Sequence, residues 1–193
     1  MFDFNPIRRR ELTLLDLVER AQLRREDLIR LTNEMVDTQL RLIEGIADDD
    51  VIFVPSDPDA EDPYATNPEQ ANLAWTLGHV IVHATASGEE ACAHASILAR
   101  GVTVNGRCRY EVPWEEMQTT ADLHDRLEES RRIRLAYLNA WPRTPHYETI
   151  YTPYKAPQNC ITRVMAGLFH DDEHLGQIAE IVRQAKEARK VTA

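Results

Sequence analysis

Positive charge is in short supply in this chain. Its 193 residues carry 22 Lys and Arg against 32 Asp and Glu, a formal net charge of −10. A protein that grips nucleic acid needs a basic face to neutralise phosphates, so a nucleic-acid partner is not expected. Long apolar runs are also missing. No stretch reaches the roughly 18 consecutive apolar residues that a membrane-spanning helix needs, so no membrane partner is expected. The opening residues Met1-Phe2-Asp3-Phe4-Asn5-Pro6 lack the charged region and following apolar run of a signal peptide. Cysteine is scarce. Cys92, Cys108 and Cys160 are far apart and include no Cys-x-x-Cys. That excludes a disulfide framework or zinc ribbon and points to reduced thiols in a cytoplasmic protein. The length fits one domain, residues 1–193, large enough for a real core.

Helical periodicity dominates what is present. Thr13 and Asp16 form an N-cap pair, and Leu14, Leu17, Leu28, Leu31, Met35 and Ile43 carry the apolar pattern onward. It fits one bent helix or a short helix followed by a long one. A loop rich in Asp and Pro follows to Pro68, with a brief strand expected at Val51–Val54. A second helix is expected from Asn67 as N-cap, with Pro68 in the first position and Gln70 as capping-box partner. Its stripe runs through Leu73, Leu77, Val80, Ile81, Ala84, Ala91, Ala95 and Leu98 to Gly101. Alternating residues on either side of Asn105-Gly106 predict a small β-hairpin between Val102 and Val112. A third helix begins near Thr119 or Thr120 and ends at Pro142. A fourth starts around Asn159 and, with no proline after Pro157, runs to the basic tail. The fold class is therefore all-α, a four-helix bundle with long connections.

The chemistry gathers on helices two and four. His170 and His174 are four residues apart, so they project from one helix face and can share a ligand. Helix two carries His79, His83 and His94. Relative to Leu77, His83 lies at about −120° and His79 at about −160°; relative to Leu168, His174 and His170 have the same two offsets. Both sets flank the core stripe and can line one polar groove. Gln177 and Ile181 continue the His170/His174 line, and Glu90 continues the His79/His83 line. From Leu73 to Gly88 the only ionisable groups are His79 and His83. A freely solvated face would carry Lys or Glu, so these imidazoles are expected to be half-buried and partnered. Spacing alone does not choose between His79 and His83 as the third ligand. Three imidazoles leave an open coordination position, the arrangement of a catalytic metal site. No cysteine falls on either line to close it. A di-iron carboxylate centre would need two Glu-x-x-His motifs, and Glu90-Ala-Cys-Ala-His94 is one residue too long.

The run Trp75-Thr-Leu-Gly-His-Val-Ile-Val-His83, with its tryptophan eight positions before a histidine, resembles the second-helix signature of the DinB-like (YfiT-like) four-helix-bundle proteins. His170-x-x-x-His174-x-x-Gln177 is similar to their fourth-helix signature, and order and spacing fit over roughly residues 13–190. The resemblance implies a metal triad of His83, His170 and His174, holding a divalent ion such as Zn, Ni or Fe. It further implies a low-molecular-weight thiol of the bacillithiol or mycothiol type, an electrophilic substrate, and a homodimer. The implied activity is thiol S-transfer or metal-dependent hydrolysis; a non-catalytic metal-binding stress-response module is the alternative. Asp171 and Asp172 are expected to orient the imidazoles as hydrogen-bond acceptors. Arg107, Arg109, Lys155 and Arg163 lie in or beside loops that could cover the site and hold a thiol's carboxylates. Tyr147, Tyr151 and Tyr154 are candidates for a pocket wall.

Overall fold

The computed structural model describes residues 2–61, 71–153 and 156–192. Its helices are α1 (Asn5–Arg8), α2 (Leu14–Ala21), α3 (Arg25–Leu42), α4 (Asp48–Val51), α5 (Leu77–Leu98), α6 (Thr120–Asn139) and α7 (Cys160–Thr192). No strand occurs among the described residues. The first helical pattern resolves as a short helix followed by a long one. Thr13 Oγ1 accepts from Asp16 N at 3.2 Å while Asp16 accepts from Thr13 N at 2.9 Å, closing a capping box. α2 ends where Gln22 turns left-handed, at φ 49°.

α3, α5, α6 and α7 form the bundle. α5 packs on α6 and α7, and α3 closes the square against the same two helices. Two apolar clusters fill it. One joins Leu28, Leu31 and Met35 of α3 to Leu98, Leu138 and Met165. The other joins Val36 and Ile43 to Leu77, Ile81, Leu123, Leu127 and Ile178. The start of α3 shares a cluster with the end of α5, the end of α6 and the start of α7. The helices therefore run up, down, down, up, with α5 antiparallel to α7.

Between the clusters the bundle has a polar waist. Arg134 of α6 and Asp171 of α7 form an ion pair there, with side chains 1% and 0% exposed. Arg134 Nε also donates to Ser130 Oγ at 2.9 Å. Burial opposes the guanidinium charge, but Asp171 outweighs it and holds Arg134 above its ordinary value. Two glycines make the room. A Cβ on Gly88 would lie 2.2 Å from Arg134 Cζ, and one on Gly167 would lie 2.6 Å from Ala91 Cβ. α5 and α7 approach closely at this point because both positions lack a side chain.

Several local expectations are corrected. α5 starts at Leu77, capped by Thr76, whose hydroxyl accepts from His79 N at 3.3 Å. Asn67, Pro68 and Gln70 lie outside the described residues, and Leu73 is 45% exposed, not core. The segment expected as a strand at Val51–Val54 begins instead as the end of α4, where Ala47 N donates to Asp50 at 2.8 Å. The hairpin at Val102–Val112 does not form. Gly106 does adopt φ 80°, but the N–H groups of Cys108 and Arg109 donate to Glu90 of α5, at 2.9 and 3.0 Å, and not across a ladder. The third and fourth helices begin as expected: Thr119 and Asp122 form a capping box, and Asn159 Oδ1 accepts from Thr162 N at 3.0 Å. No described helix is long and apolar enough to cross a membrane.

Candidate metal centre

Antiparallel packing of α5 on α7 brings His83, His170 and His174 together. Their ring centroids are 4.7 to 5.1 Å apart. Each offers one ring nitrogen to a cluster whose atoms all lie within 4.8 Å of one another. The Nε2 atoms of His83 and His170 are 3.2 Å apart. Two nitrogens at zinc-like bond lengths of 2.0–2.1 Å on a tetrahedron would be about 3.3–3.4 Å apart, so the pair fits a shared divalent ion. Among the described residues no fourth histidine, cysteine or carboxylate joins them.

The surroundings keep the two rings of α7 neutral. Burial, reinforced by His174 and His83, pushes His170 down to about 3. Burial also lowers His174, against the pull of Gln177. Neutral imidazoles keep a lone pair for a ligand. His174 Nδ1–H donates to Gln177 Oε1 at 2.8 Å, which fixes the tautomer with Nε2 free. At His83 two groups compete for Nδ1. Arg109 Nη2 donates toward it at 2.8 Å, while Glu111 Oε1 stands 3.5 Å away and Glu111 Oε2 pairs with Arg109 at 2.7 Å. For His83 Nε2 to act as a ligand, the proton must sit on Nδ1, where Glu111 is the available acceptor. His170 Nδ1 is buried without a hydrogen-bond partner among the described residues.

His79 does not join the cluster. Its ring is stacked between Trp75 and Trp114, with centroids at 4.3 and 5.0 Å. Trp75 also packs on His83 at 4.7 Å and His174 at 6.2 Å, forming an apolar wall behind the imidazoles. The expected role of Asp171 and Asp172 is overturned. Asp171 faces away from the imidazoles into the waist to pair with Arg134, and Asp172 pairs with Arg8. A charged acceptor on this helix finds a cationic partner before a neutral ring.

A cavity of about 1040 Å³ opens on His83 and His170. Its walls include His79, Trp114, Tyr151, Phe169, Arg109 and Arg163. Of the expected aromatic wall, Tyr151 lines the cavity, Tyr147 is 46% exposed elsewhere, and Tyr154 lies outside the described residues, as does Lys155. Arg107 pairs with Glu90 at 2.9 Å.

Sequence reasoning missed Glu111 and the stacking role of Trp114, because both arrive on the irregular segment between α5 and α6, where no periodicity signals position. It also missed a second group, Glu90, His94 and Cys108, whose ligating atoms lie within 4.8 Å of one another. Here the Glu90 carboxylate is already occupied by Arg107 and two backbone N–H groups, and Arg163 stands 3.8 Å from it. Two guanidiniums make the place unwelcoming to a cation.

No curated protein and no solved structure matches the chain. The family pattern that does match covers residues 14–178. It takes in α3, α5, α6 and the part of α7 that carries His170 and His174, and on that ground the chain belongs to the DinB superfamily.

Proposed function

We propose that the chain is a metal-dependent enzyme in which His83, His170 and His174 hold a divalent ion that takes a low-molecular-weight thiol or water at its open position. Thiol S-transfer to an electrophile is the leading activity, with hydrolysis second. The observation that carries this reading is the convergence of three ring nitrogens within 4.8 Å, two of them from His83 and His170, which line the cavity, with no fourth protein donor among the described residues. A divalent ion lowers the pKa of a bound thiol or water enough to supply a nucleophile at neutral pH.

The chain's own residues prepare that chemistry. Gln177 holds the His174 tautomer, and Glu111 can accept the Nδ1 proton of His83. Trp75 shields one side of the rings from water. The cavity admits a second molecule beside the His83/His170 pair. A non-catalytic module would have no use for an open position beside a cavity of this size.

The test is metal analysis of protein purified without a polyhistidine tag, beside His83→Ala. Wild type should hold about one divalent ion per chain and the variant little; equally low content in both sinks the proposal. Turnover of an electrophile with a panel of low-molecular-weight thiols then separates transferase from module, since a module turns over none.

A further inference from the structure

The waist and the cavity each contain a buried arginine, and the two differ sharply. Arg134 uses its donors on Asp171 and Ser130. The Arg163 side chain, on α7, is 13% exposed. Its Nε is buried without a hydrogen-bond partner among the described residues. The nearest acid, Glu90 Oε2, is 3.8 Å away and already takes Arg107 Nη2 at 2.9 Å. Burial pushes the Arg163 guanidinium below its ordinary value, which is the mark of a desolvated charge with too little compensation.

Its position is informative. Arg163 and His170 are two helical turns apart on one face of α7, about 10 Å along the axis. Both line the same cavity, with Ala166 and Gly167 between them. Gln158, held by an antiparallel bridge to Tyr151, also lines this end, and its Oε1 is buried without a partner among the described residues. The remaining acids do not cancel the charge here. Glu90 is saturated and Glu111 pairs with Arg109. Glu173 lies on the far side of His170, and Glu115 comes from the turn Trp114–Glu116. Phe169, Pro153 and Val112 supply apolar wall.

We propose that the cavity receives an elongated small molecule whose anionic group, a carboxylate or phosphate, is seated on Arg163 and Gln158 while its other end reaches His83 and His170. The second half rests on the metal-centre reading; the first half does not need a metal. A guanidinium fork suits either anion, because both offer two oxygens in its plane.

The experiment uses metal-free full-length protein, with glutarate and inorganic phosphate as separate probes and sodium chloride at equal ionic strength as control. A saturable rise in melting temperature is expected with at least one probe. Glutarate alone marks a carboxylate ligand, phosphate alone a phosphorylated one. Arg163→Met keeps the length and apolar stem and should weaken binding about tenfold or more. Without probe it should melt no lower than wild type, because it removes an uncompensated charge. Arg163→Lys should keep part of the binding. The proposal falls if neither probe exceeds the salt control, if Arg163→Met binds like wild type, or if Arg163→Met melts lower than wild type, as loss of a structural arginine would make it. Metal content of the same preparations is read separately. A probe shift without any metal uptake retains the anion seat and sinks the metal centre; metal uptake without a shift does the reverse.

Discussion

Replacing Asp171 by Asn leaves Arg134 as a buried cation without its counterion. Both side chains are at most 1% exposed, so water cannot take over. Arg134 would keep Ser130 Oγ at 2.9 Å and the long 3.4 Å approach to Ala84 O, and the Asn carbonyl would accept one N–H. The charge itself would be uncompensated. Breaking a fully buried pair from one side costs about 3–5 kcal/mol. In a chain of this size that lowers the melting temperature by about 6–20 °C, at roughly 2–4 °C per kcal/mol. Urea unfolding should show the loss in the midpoint with the slope unchanged. Removing both charges as Arg134→Met/Asp171→Leu should recover most of the loss, since apolar replacement of a buried pair is often neutral or stabilising. A single variant within about 1 kcal/mol of wild type would refute the reasoning. Metal content per folded molecule should be unchanged, because Asp171 bonds Arg134 and no imidazole; a folded but metal-free Asp171→Asn would restore the role that sequence spacing suggested.

Other predictions are narrower. Gly88→Ala puts a Cβ 2.2 Å from Arg134 Cζ and should cost about 1–3 kcal/mol, measured by urea unfolding; a neutral variant would mean that the waist is looser than described. Native protein should react with a thiol reagent at Cys108 alone, since Cys92 and Cys160 are buried and burial pushes their thiols up to about 12 and about 11; a second fast thiol contradicts this. Gln177→Leu removes the acceptor from His174 Nδ1 and should weaken metal affinity about 10–100-fold by competition with a chelator, leaving the fold intact. At Glu90 burial works to raise the carboxyl, but Arg107 and the Cys108 N–H win and hold it below the ordinary 4.5. A depressed folded value means that its contribution to stability is full above 4.5 and lost as pH falls through the folded value. The amide resonances of Cys108 and Arg109 should therefore shift only below 4.5, and a midpoint above that rules it out.

Much of this was legible in advance, for identifiable reasons. The caps at Thr13, Thr119 and Asn159 are local chemistry, set by residues three apart, so reading along the chain finds them. That His170 and His174 would meet a histidine of helix two was legible because helical angle converts spacing into direction, and two helices showed the same offset from their core stripes; the choice of His83 over His79 came from the family resemblance alone. The failures share a cause. Asn105-Gly106 is a strong turn signal, and a turn with positive φ is there. Whether the flanks pair depends on a competitor more than a dozen residues away, the Glu90 carboxylate, which takes their N–H groups. The helix-two cap was read from an Asn-Pro pair, while the described helix begins at Leu77, capped by Thr76. Asp171 carried the right direction but the wrong partner, because the opposing arginine sits on α6 and leaves no mark on the spacing of α7.

The polar waist itself bears on function. At the level of the three histidines the bundle gives up apolar packing on α5, α6 and α7. α6 contributes Ser130 and Arg134, α7 contributes Asp171, and α5 contributes Thr85 and Gly88, all buried. Elsewhere, on α3, Thr32 and Gln39 have side-chain polar atoms buried with no partner among the described residues. Leucine at several of these places would make a more stable bundle, since buried ion pairs seldom improve on apolar packing. A bundle free of other demands has no reason to interrupt its core between two clusters that are otherwise well filled. Local rules are broken where a fold carries a site, and stability elsewhere supports the breach. The glycines that admit Arg134 also bring α5 and α7 close enough for His83 and His170 to meet at 3.2 Å. Ion pair, glycines and imidazoles are therefore parts of one arrangement. The Arg134–Asp171 bond ties α6 to α7 beside the crossing, while the glycines set how closely the two imidazole-bearing helices approach.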